Sequence, residues 1–266
     1  MGRSVACVAG IAAALVSLHG GVAGQATYAG VSARYPTGSA GISDSALVLS
    51  FDMETQRADG LLRDFGPLGN HGNISGTRRL DGAFGKGMVF QTAADRVHLQ
   101  ENPSLAIDGP LTIALWLRMN TLDLHQHILA CDDKFALWVT PRNRVRFSDT
   151  LGHGMDTADP IVTNGWYSLV AVFDGRRGTE VTPETVQLFL DGVRVATTML
   201  NRPGEATPRW VPEALYPTDA CYVGFESHQG NVAHQSLQFE GIIDELLIFN
   251  RALTADEVRV HAGRAP

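Results

Sequence analysis

The clearest structural signal lies in Val186-Gln-Leu-Phe-Leu-Asp-Gly-Val-Arg-Val-Ala196, two short runs joined by an Asp-Gly pair. Asp-Gly supplies the positive φ angles of a two-residue turn, so the stretch predicts a tight β-hairpin. In the same way, Pro141–Asn143 is predicted to join a run ending at Thr140 to Arg144–Phe147. Several other runs have strand length and composition and are bounded by turn residues. They are Ala46–Asp52, Leu111–Arg118, Phe135–Thr140 and Tyr167–Phe173.

The composition points to the same fold class. The 266 residues are 44% hydrophobic and 18% charged, which excludes wholesale disorder. The 28 Gly and 12 Pro residues favour many turns between short strands, so an all-β fold is expected. The formal net charge of −7 is a poor match for nucleic-acid phosphates or an anionic membrane surface. Nucleic acid is therefore not an expected partner.

The N-terminal residues have the order of a secretory signal. Arg3 precedes an apolar run from Val5 to Leu18, and small residues follow at Gly20–Gly24. We therefore predict a signal peptide at 1–24, a flexible lead-in at 25–45 and one β domain at 46–262. The apolar run is short for a membrane span, although an uncleaved anchor is the alternative. A secreted or periplasmic protein without a transmembrane segment is expected.

Two local features complete the organisation of the chain. Thr254-Ala-Asp-Glu257 is a capping box, which predicts one short C-terminal helix. Beyond the signal segment, Cys131 and Cys221 form an even pair in an oxidising compartment, so a disulfide is predicted. Two buried free thiols are the alternative, which sequence separation does not decide.

Seven motifs occur in one order along residues 46–262, and together they resemble the laminin-G-like, concanavalin A-like jelly-roll domains of secreted bacterial proteins. The resemblance implies two antiparallel sheets packed face to face, in agreement with the strand pattern. The motifs are Phe51-Asp52, Asp64 followed by Gly69–Asn73, Phe84–Phe90, Leu111–Trp116, Gly165–Gly175, Leu188–Val193 and Gly241–Leu253.

The resemblance also implies a structural calcium ion. In these domains the final Ile-Asp-Glu strand lies beside the first strand, which brings Asp244 near Asp52. Calcium takes six to eight oxygen ligands, and Asn70 and Asn73 in the nearby loop complete the predicted set. The alternative is that Asp52 and Asp244 cap turns or accept backbone hydrogen bonds without a metal.

Alternation along Phe135–Thr140 sends Trp138 to the face opposite Leu137 and Val139. Arg144 and Arg146 have the corresponding phase in the partner run, so an aromatic ring flanked by two arginines is predicted on an open sheet face. Such a surface suits a sugar carrying carboxylate or sulfate, whereas a solvated polar face is the alternative. Trp210, in a Pro-rich stretch, is placed at the rim of this surface or as a lid on the core.

Other candidate residues are interpreted as structural. Trp116 and Trp166 lie inside strand motifs and are predicted to be core residues. His125 and His127 would point to one side of a strand, where an exposed pair can bind a transition metal. Nothing near them in the sequence completes such a site, so surface histidines are expected.

No catalytic constellation is evident. Glu240 and Asp244 would share a strand face at a separation of about 13 Å, and the adjacent Asp244 and Glu245 point to opposite faces. The expected function is a secreted, non-catalytic carbohydrate-binding or adhesion module, stabilised by calcium, with a polysaccharide or other glycan or a cell-surface protein as its partner. The alternatives are a polysaccharide hydrolase or lyase on the same fold and a protein-interaction domain of the envelope.

Overall fold

The computed structural model describes residues 44–99, 102–131, 134–149, 151–163, 165–200, 204–211, 221–226 and 238–263. The predicted signal segment and nearly all of the lead-in lie outside these ranges. Strands dominate the described residues, and the one α-helix among them is α1 (Ala255–His261). The strands are β1 (Leu47–Phe51), β2 (Gly72–Ser75), β3 (Arg78–Asp81), β4 (Lys86–Phe90), β5 (Arg96–Leu99), β6 (Leu111–Met119), β7 (Gln126–Cys131), β8 (Phe135–Val139), β9 (Val145–Asp149), β10 (Gly154–Thr157), β11 (Trp166–Phe173), β12 (Val186–Leu190), β13 (Val193–Arg194), β14 (Thr197–Leu200), β15 (Cys221–Val223) and β16 (Gly241–Phe249).

These strands form two eight-stranded antiparallel sheets. The first sheet has the order β13-β12-β11-β6-β16-β4-β3, and β1 also pairs with β16. The second sheet has the order β14-β10-β9-β8-β7-β15-β5-β2. The predicted all-β jelly-roll sandwich with one short C-terminal helix is confirmed.

The core lies between the inner faces of the two sheets. Strand β8 shows how the sequence specifies it, because Phe135, Leu137 and Val139 are at most 1% exposed while the residues between them are partly exposed. A second apolar cluster lies on the outer face of the first sheet, where α1 covers part of that face. This cluster contains Leu47, Ala114, Val170, Val172, Phe189, Leu247, Phe249, Leu253 and Val258.

Local signals in the sequence are borne out at the predicted positions. Asp191 and Gly192 adopt φ angles of 50° and 77° in the turn between β12 and β13. Asn143 has a φ of 61° in the turn between β8 and β9. At α1, the Thr254 side chain accepts from the Glu257 amide, and the Glu257 carboxylate accepts from the Thr254 amide in return.

The two cysteines of the predicted pair are joined. Cys131 on β7 and Cys221 on β15 are directly opposite in register and form a disulfide. The alternative of two free thiols is therefore not what the structure shows. Within the ranges given above, no helix is long and apolar enough to cross a membrane.

Candidate functional site

A row of planar and charged side chains crosses the outer face of the second sheet. His127 is opposite Trp138, Trp138 is opposite Arg146, and Arg146 is opposite Asp156. These residues alternate with the core residues of β8, β9 and β10, so their side chains share the face that points away from the first sheet. The predicted placement of Trp138 and Arg146 outside the core is confirmed.

Trp138 is the centre of this row. The His125 ring is stacked on the indole with 3.8 Å between ring centroids and 16° between planes. The Arg146 guanidinium carbon lies 4.5 Å from the centroid of the indole. Because His125 adjoins β7 and Arg146 belongs to β9, the two groups approach Trp138 from opposite sides. The indole therefore stands on the sheet and presents its outer edge to solvent.

The polar groups along the row contact one another. Arg146 donates from Nε and Nη2 to the two carboxylate oxygens of Asp156, at 2.6 and 2.9 Å. His127 Nε2 lies 3.0 Å from Glu226 Oε2 and 3.1 Å from His125 Nε2. The His125 and His127 rings are stacked at 4.9 Å with 19° between planes. Nearly parallel rings hold their nitrogen lone pairs in separate planes, so the pair does not converge on one cation.

The other predicted binding residues have different environments. Arg144 is partly exposed immediately before β9, in phase with Arg146. Trp210 is only 3% exposed and packs in the core, with ring centroids 4.4 Å from Phe173 and 5.1 Å from Phe147. The structure thus brings Trp138, Arg144 and Arg146 to one face and places Trp210 as a lid on the core.

The first pair of predicted calcium ligands lies at one end of the first sheet. Strand β1 is beside β16, as expected, with Phe51 opposite Leu246. Asp52 Oδ1 accepts from the Glu54 and Thr55 amides at 3.0 and 2.9 Å, and Oδ2 accepts from the Thr55 hydroxyl. Asp244 is fully buried, and its Oδ2 accepts from the Phe84 amide at 2.8 Å.

The two predicted asparagine ligands lie elsewhere. Asn70 Nδ2 donates to the Val48 carbonyl at 2.7 Å. Val48 is four residues before Asp52, which corresponds to about 13 Å along an extended strand. Asn73 is exposed on β2 in the second sheet. The four residues do not form one ligand set, and the described part of the chain contains no cluster of three or more His, Cys, Asp or Glu residues that could hold a metal.

Glu54 is a carboxylate at the Asp52 end that the sequence did not single out. Its Oε2 accepts from the Lys86 amide at 3.2 Å, so Glu54 and Asp244 hold the same turn at Phe84–Lys86. Burial raises the pKa of Glu54 above its ordinary value, and the nearby Asp52 charge raises it further. Asp52 and Glu54 are thus placed where their negative charges repel each other.

The described carboxylates do not form a glycosidase pair at the predicted strand. Glu240 Oε2 accepts from the Thr121 hydroxyl at 2.6 Å, whereas Asp244 is buried under the Phe84 turn. Their separation along β16 is about 13 Å, beyond the roughly 5–9.5 Å that two catalytic carboxyl groups need. Glu240 and Asp244 are therefore not a pair of this kind.

A carboxylate–histidine–carboxylate chain was not anticipated from the sequence. His153 Nδ1 lies 2.8 Å from Asp149 Oδ2, and its Nε2 lies 2.7 Å from Glu205 Oε2. Asp149 Oδ2 also accepts from the Val211 amide at 2.7 Å. Since both ring nitrogens contact carboxylates, the chain fastens the segment containing Glu205 and Val211 to the turn between β9 and β10.

The prediction that Trp116 and Trp166 are core residues is wrong. Both are partly exposed, because they alternate with inward-facing residues of β6 and β11 such as Leu117 and Leu169. Their strand phase contained this signal, since it places each tryptophan on the outer face of the first sheet.

Comparison with known proteins gives the family context. The family model described as concanavalin A-like lectin/glucanases superfamily matches residues 91–259. No curated protein sequence matches the chain significantly.

Solved structures share the fold at low sequence identity. The binding domain of Paraclostridial Mosquitocidal Protein 1 is 16% identical, with a TM-score of 0.57 over 82% of this chain and 52% of that one. Trypanosoma rangeli sialidase in complex with sialic acid is 12% identical, with a TM-score of 0.57 over 84% of this chain and 33% of that one. Domain 4 of AbnA, a GH43 extracellular arabinanase from Geobacillus stearothermophilus, was solved in complex with arabinotriose. It is 19% identical, with a TM-score of 0.54 over 81% of this chain and 98% of that one.

This chain therefore spans about half of the mosquitocidal protein structure and a third of the sialidase, but nearly all of the arabinanase domain. At these identities the likeness shows the fold.

Proposed function

Because this chain belongs to the concanavalin A-like lectin/glucanase superfamily, we propose that it is a secreted, non-catalytic carbohydrate-binding module. The observation that carries the proposal is the row centred on Trp138 on the outer face of the second sheet. The arabinanase domain, which has a similar extent and is solved with arabinotriose, supports a carbohydrate as the class of ligand. Secretion is proposed from the signal-like order of residues 1–24.

The pairing of charges in the row favours a neutral sugar. Arg146 already holds Asp156 through two hydrogen bonds, and His127 lies against Glu226. The Arg146–Asp156 pair carries little net charge, and the oxygen and nitrogen atoms of all four groups remain able to bond to sugar hydroxyls. This changes the expectation of an acidic sugar at Trp138, since only Arg144 of the two arginines lacks a carboxylate partner among the described residues.

The exposed edge of Trp138 supplies the apolar contact. The C–H groups of a sugar ring pack against this edge, and the sugar hydroxyls can reach the polar groups on either side of the indole. His125 and Arg146 hold the indole upright from both sides, so little side-chain freedom is lost when a ligand binds.

The test is the affinity of the mature protein for a panel of neutral polysaccharides, measured by affinity electrophoresis and calorimetry. Trp138→Ala should weaken binding at least tenfold, or about 1.4 kcal/mol. Phe65→Ala is the matched control, because Phe65 is also a partly exposed aromatic residue with an arginine, Arg63, 4.6 Å above its ring. The control should bind like wild type.

Two results would contradict the proposal. Unchanged affinity in Trp138→Ala and in the Arg144/Arg146 double alanine variant would remove the site from this face. Release of reducing sugar from any polysaccharide in the panel would show an enzyme in place of a binding module.

A further inference from the structure

A second aromatic surface lies on the outer face of the first sheet. Trp116 is on β6 with Ser168 and Asp244 opposite it, and Arg118 is opposite Trp166 on β11. In this register Trp116 and Trp166 are diagonal neighbours, about 7–8 Å apart and within reach of the same ligand. We name the outer-face surface formed by Phe84, Trp116, Arg118 and Trp166 the Trp116 surface.

The rings of the Trp116 surface are held in defined orientations. Phe84 packs edge-on against Trp116, with centroids 5.3 Å apart and 80° between planes. The Arg118 guanidinium carbon lies 5.6 Å from the centroid of Trp166. All four side chains are partly exposed. At the other end of β6, β11 and β16 this outer face carries the apolar cluster that includes Val258 of α1.

Unpaired polar atoms are concentrated at this place. Trp116 Nε1, Arg118 Nε and Ser168 Oγ are each buried and have no hydrogen-bond partner in the structure. Ser168 is 0% exposed and lies beside Trp116 in the same row. Buried polar groups in native proteins are nearly always paired, so three unpaired atoms on neighbouring residues leave hydrogen-bonding capacity that a polar ligand could use.

Arg118 indicates the charge of that ligand. No described carboxylate forms an ion pair with Arg118, whereas Arg146 and Arg251 each hold a carboxylate through two nitrogen atoms. A guanidinium group matches planar anions such as carboxylate, and sulfate, through paired hydrogen bonds. The net charge of −7 opposes an anionic ligand, but salt screens charges beyond about 8 Å, so the local cation dominates on contact.

We propose that the Trp116 surface is a second binding site, specific for an acidic polysaccharide. Sugar rings pack against Trp116 and Trp166, and the carboxylate or sulfate of a sugar binds Arg118. Rotation of the long Arg118 side chain would turn its Nε towards the ligand. The site is on the opposite sheet from the Trp138 row, so it does not depend on the function proposed for that row.

The experiment measures affinity of the mature protein for polygalacturonate, dextran sulfate and neutral dextran at low and physiological salt. Arg118→Gln and Trp166→Ala should each weaken binding of an acidic polymer at least tenfold. The affinity of Arg118→Gln for acidic polymers should depend less on salt concentration than the affinity of wild type, because one ionic contact is lost. The polygalacturonate and dextran sulfate arms show whether carboxylate or sulfate is the preferred group.

Two control variants make the result specific. Arg63→Gln removes another arginine stacked on an aromatic ring, and Trp138→Ala removes the centre of the other face. Both should retain wild-type affinity for acidic polymers. If Trp166→Ala fails to fold by circular dichroism, Trp166→Phe replaces it, with a smaller loss of affinity expected.

The proposal is overturned if Arg63→Gln loses as much affinity as Arg118→Gln, since any surface cation would then suffice. It is also overturned if neutral dextran binds as tightly as the acidic polymers, or if no acidic polymer binds. Loss of acidic-polymer binding in Trp138→Ala alone would assign that ligand to the second sheet. Failure of neutral sugars to respond to Trp138→Ala contradicts only the earlier proposal.

Discussion

Cys131 and Cys221 lie directly opposite each other on β7 and β15, with their Cα atoms 4.0 Å apart, and their disulfide ties β15 into the second sheet. Strand β15 has three residues and is the connection between β7 and the β5–β2 edge. A cross-link over a sequence separation of 90 residues contributes about 4–5 kcal/mol to the free energy of unfolding in the chain-entropy model. The Cys131→Ala/Cys221→Ala variant should therefore unfold at much lower urea concentration than wild type.

Reductant supplies the control for this prediction. It should lower the urea midpoint of wild type to that of the double variant and leave the double variant unchanged. Equal midpoints for oxidised wild type and the double variant would show that the cross-link contributes nothing measurable.

The turn at Gly192 should be sensitive to a single methyl group. Gly192 has a φ of 77°, and a Cβ there would lie 3.0 Å from the Ala262 Cβ just beyond α1. Gly60 has a φ of 86° with nothing within 4 Å of a Cβ, so it is the matched control. Both alanine variants should lose about 1–2 kcal/mol from left-handed strain, and Gly192→Ala should lose roughly 1–3 kcal/mol more from crowding of the helix end. Equal losses in urea unfolding would refute this role of Gly192.

The attachment of α1 should weaken in acid. Burial alone would raise the pKa of Glu257, but hydrogen bonds from Arg251 and from the Thr254 amide outweigh it and hold that pKa below its ordinary 4.5. A lowered carboxyl pKa stabilises the fold at pH values above the ordinary pKa of the group. This contribution disappears as the pH falls through the folded-state pKa. Glu257→Gln should thus destabilise the protein at neutral pH and matter progressively less in acid.

Asp256 provides the comparison on the same helix. Its ion pair with Arg259 has exposed side chains, and such pairs contribute little. Asp256→Asn should change the urea midpoint only slightly at any pH. A Glu257→Gln deficit that stays constant from neutral to acidic pH would contradict the linkage.

The predictable parts of the fold were those specified by neighbouring residues. The alternation around Trp138 and the Asp-Gly turn at Asp191 depend only on strand geometry and backbone preference, and both are found in the structure. The capping box at Thr254 is equally local. Trp116 had the same kind of signal, because it lies between the inward-facing Leu115 and Leu117, but the strand motif around it was interpreted as core.

Features that depend on long-range register were not predictable from one sequence. His127 reaches Trp138 only because the pairing of β7 with β8 shifts between His127 and Leu129. Asp156 reaches Arg146 through the register of β9 and β10. The burial of Trp210 likewise depends on how a loop crosses the core.

Calcium binding at the Asp52 end of the first sheet remains a prediction. Calcium at a hundred times its dissociation constant would stabilise the protein by about 2.7 kcal/mol, so the melting temperature should be higher in calcium than in chelator. Glu54→Gln removes the repulsion by Asp52 that contributes to the raised pKa of Glu54. It should raise the melting temperature in chelator and reduce the response to calcium.

Asp59→Asn is the control for that experiment, because Asp59 is exposed and its carboxylate bonds to Arg57. It should respond to calcium as wild type does. Identical melting in calcium and in chelator, with no metal found by elemental analysis, would contradict the prediction.

Trp210 should affect stability and leave ligand binding intact. Its ring is stacked on Phe173 and packs against Phe147, and its backbone amide donates to the Thr179 carbonyl, so the indole joins a loop to the core. Truncating such a side chain to alanine typically costs about 3–5 kcal/mol, because both transfer energy and packing are lost. Trp210→Ala should therefore unfold at a much lower urea concentration than wild type, and Trp210→Phe should lose less stability.

Trp138→Ala, at a partly exposed position, should lose less stability than Trp210→Ala but lose affinity for neutral polysaccharide. Measured under conditions where Trp210→Ala is folded, a tenfold loss of that affinity in this variant would show that the loop, and not only the Trp138 row, contacts the ligand.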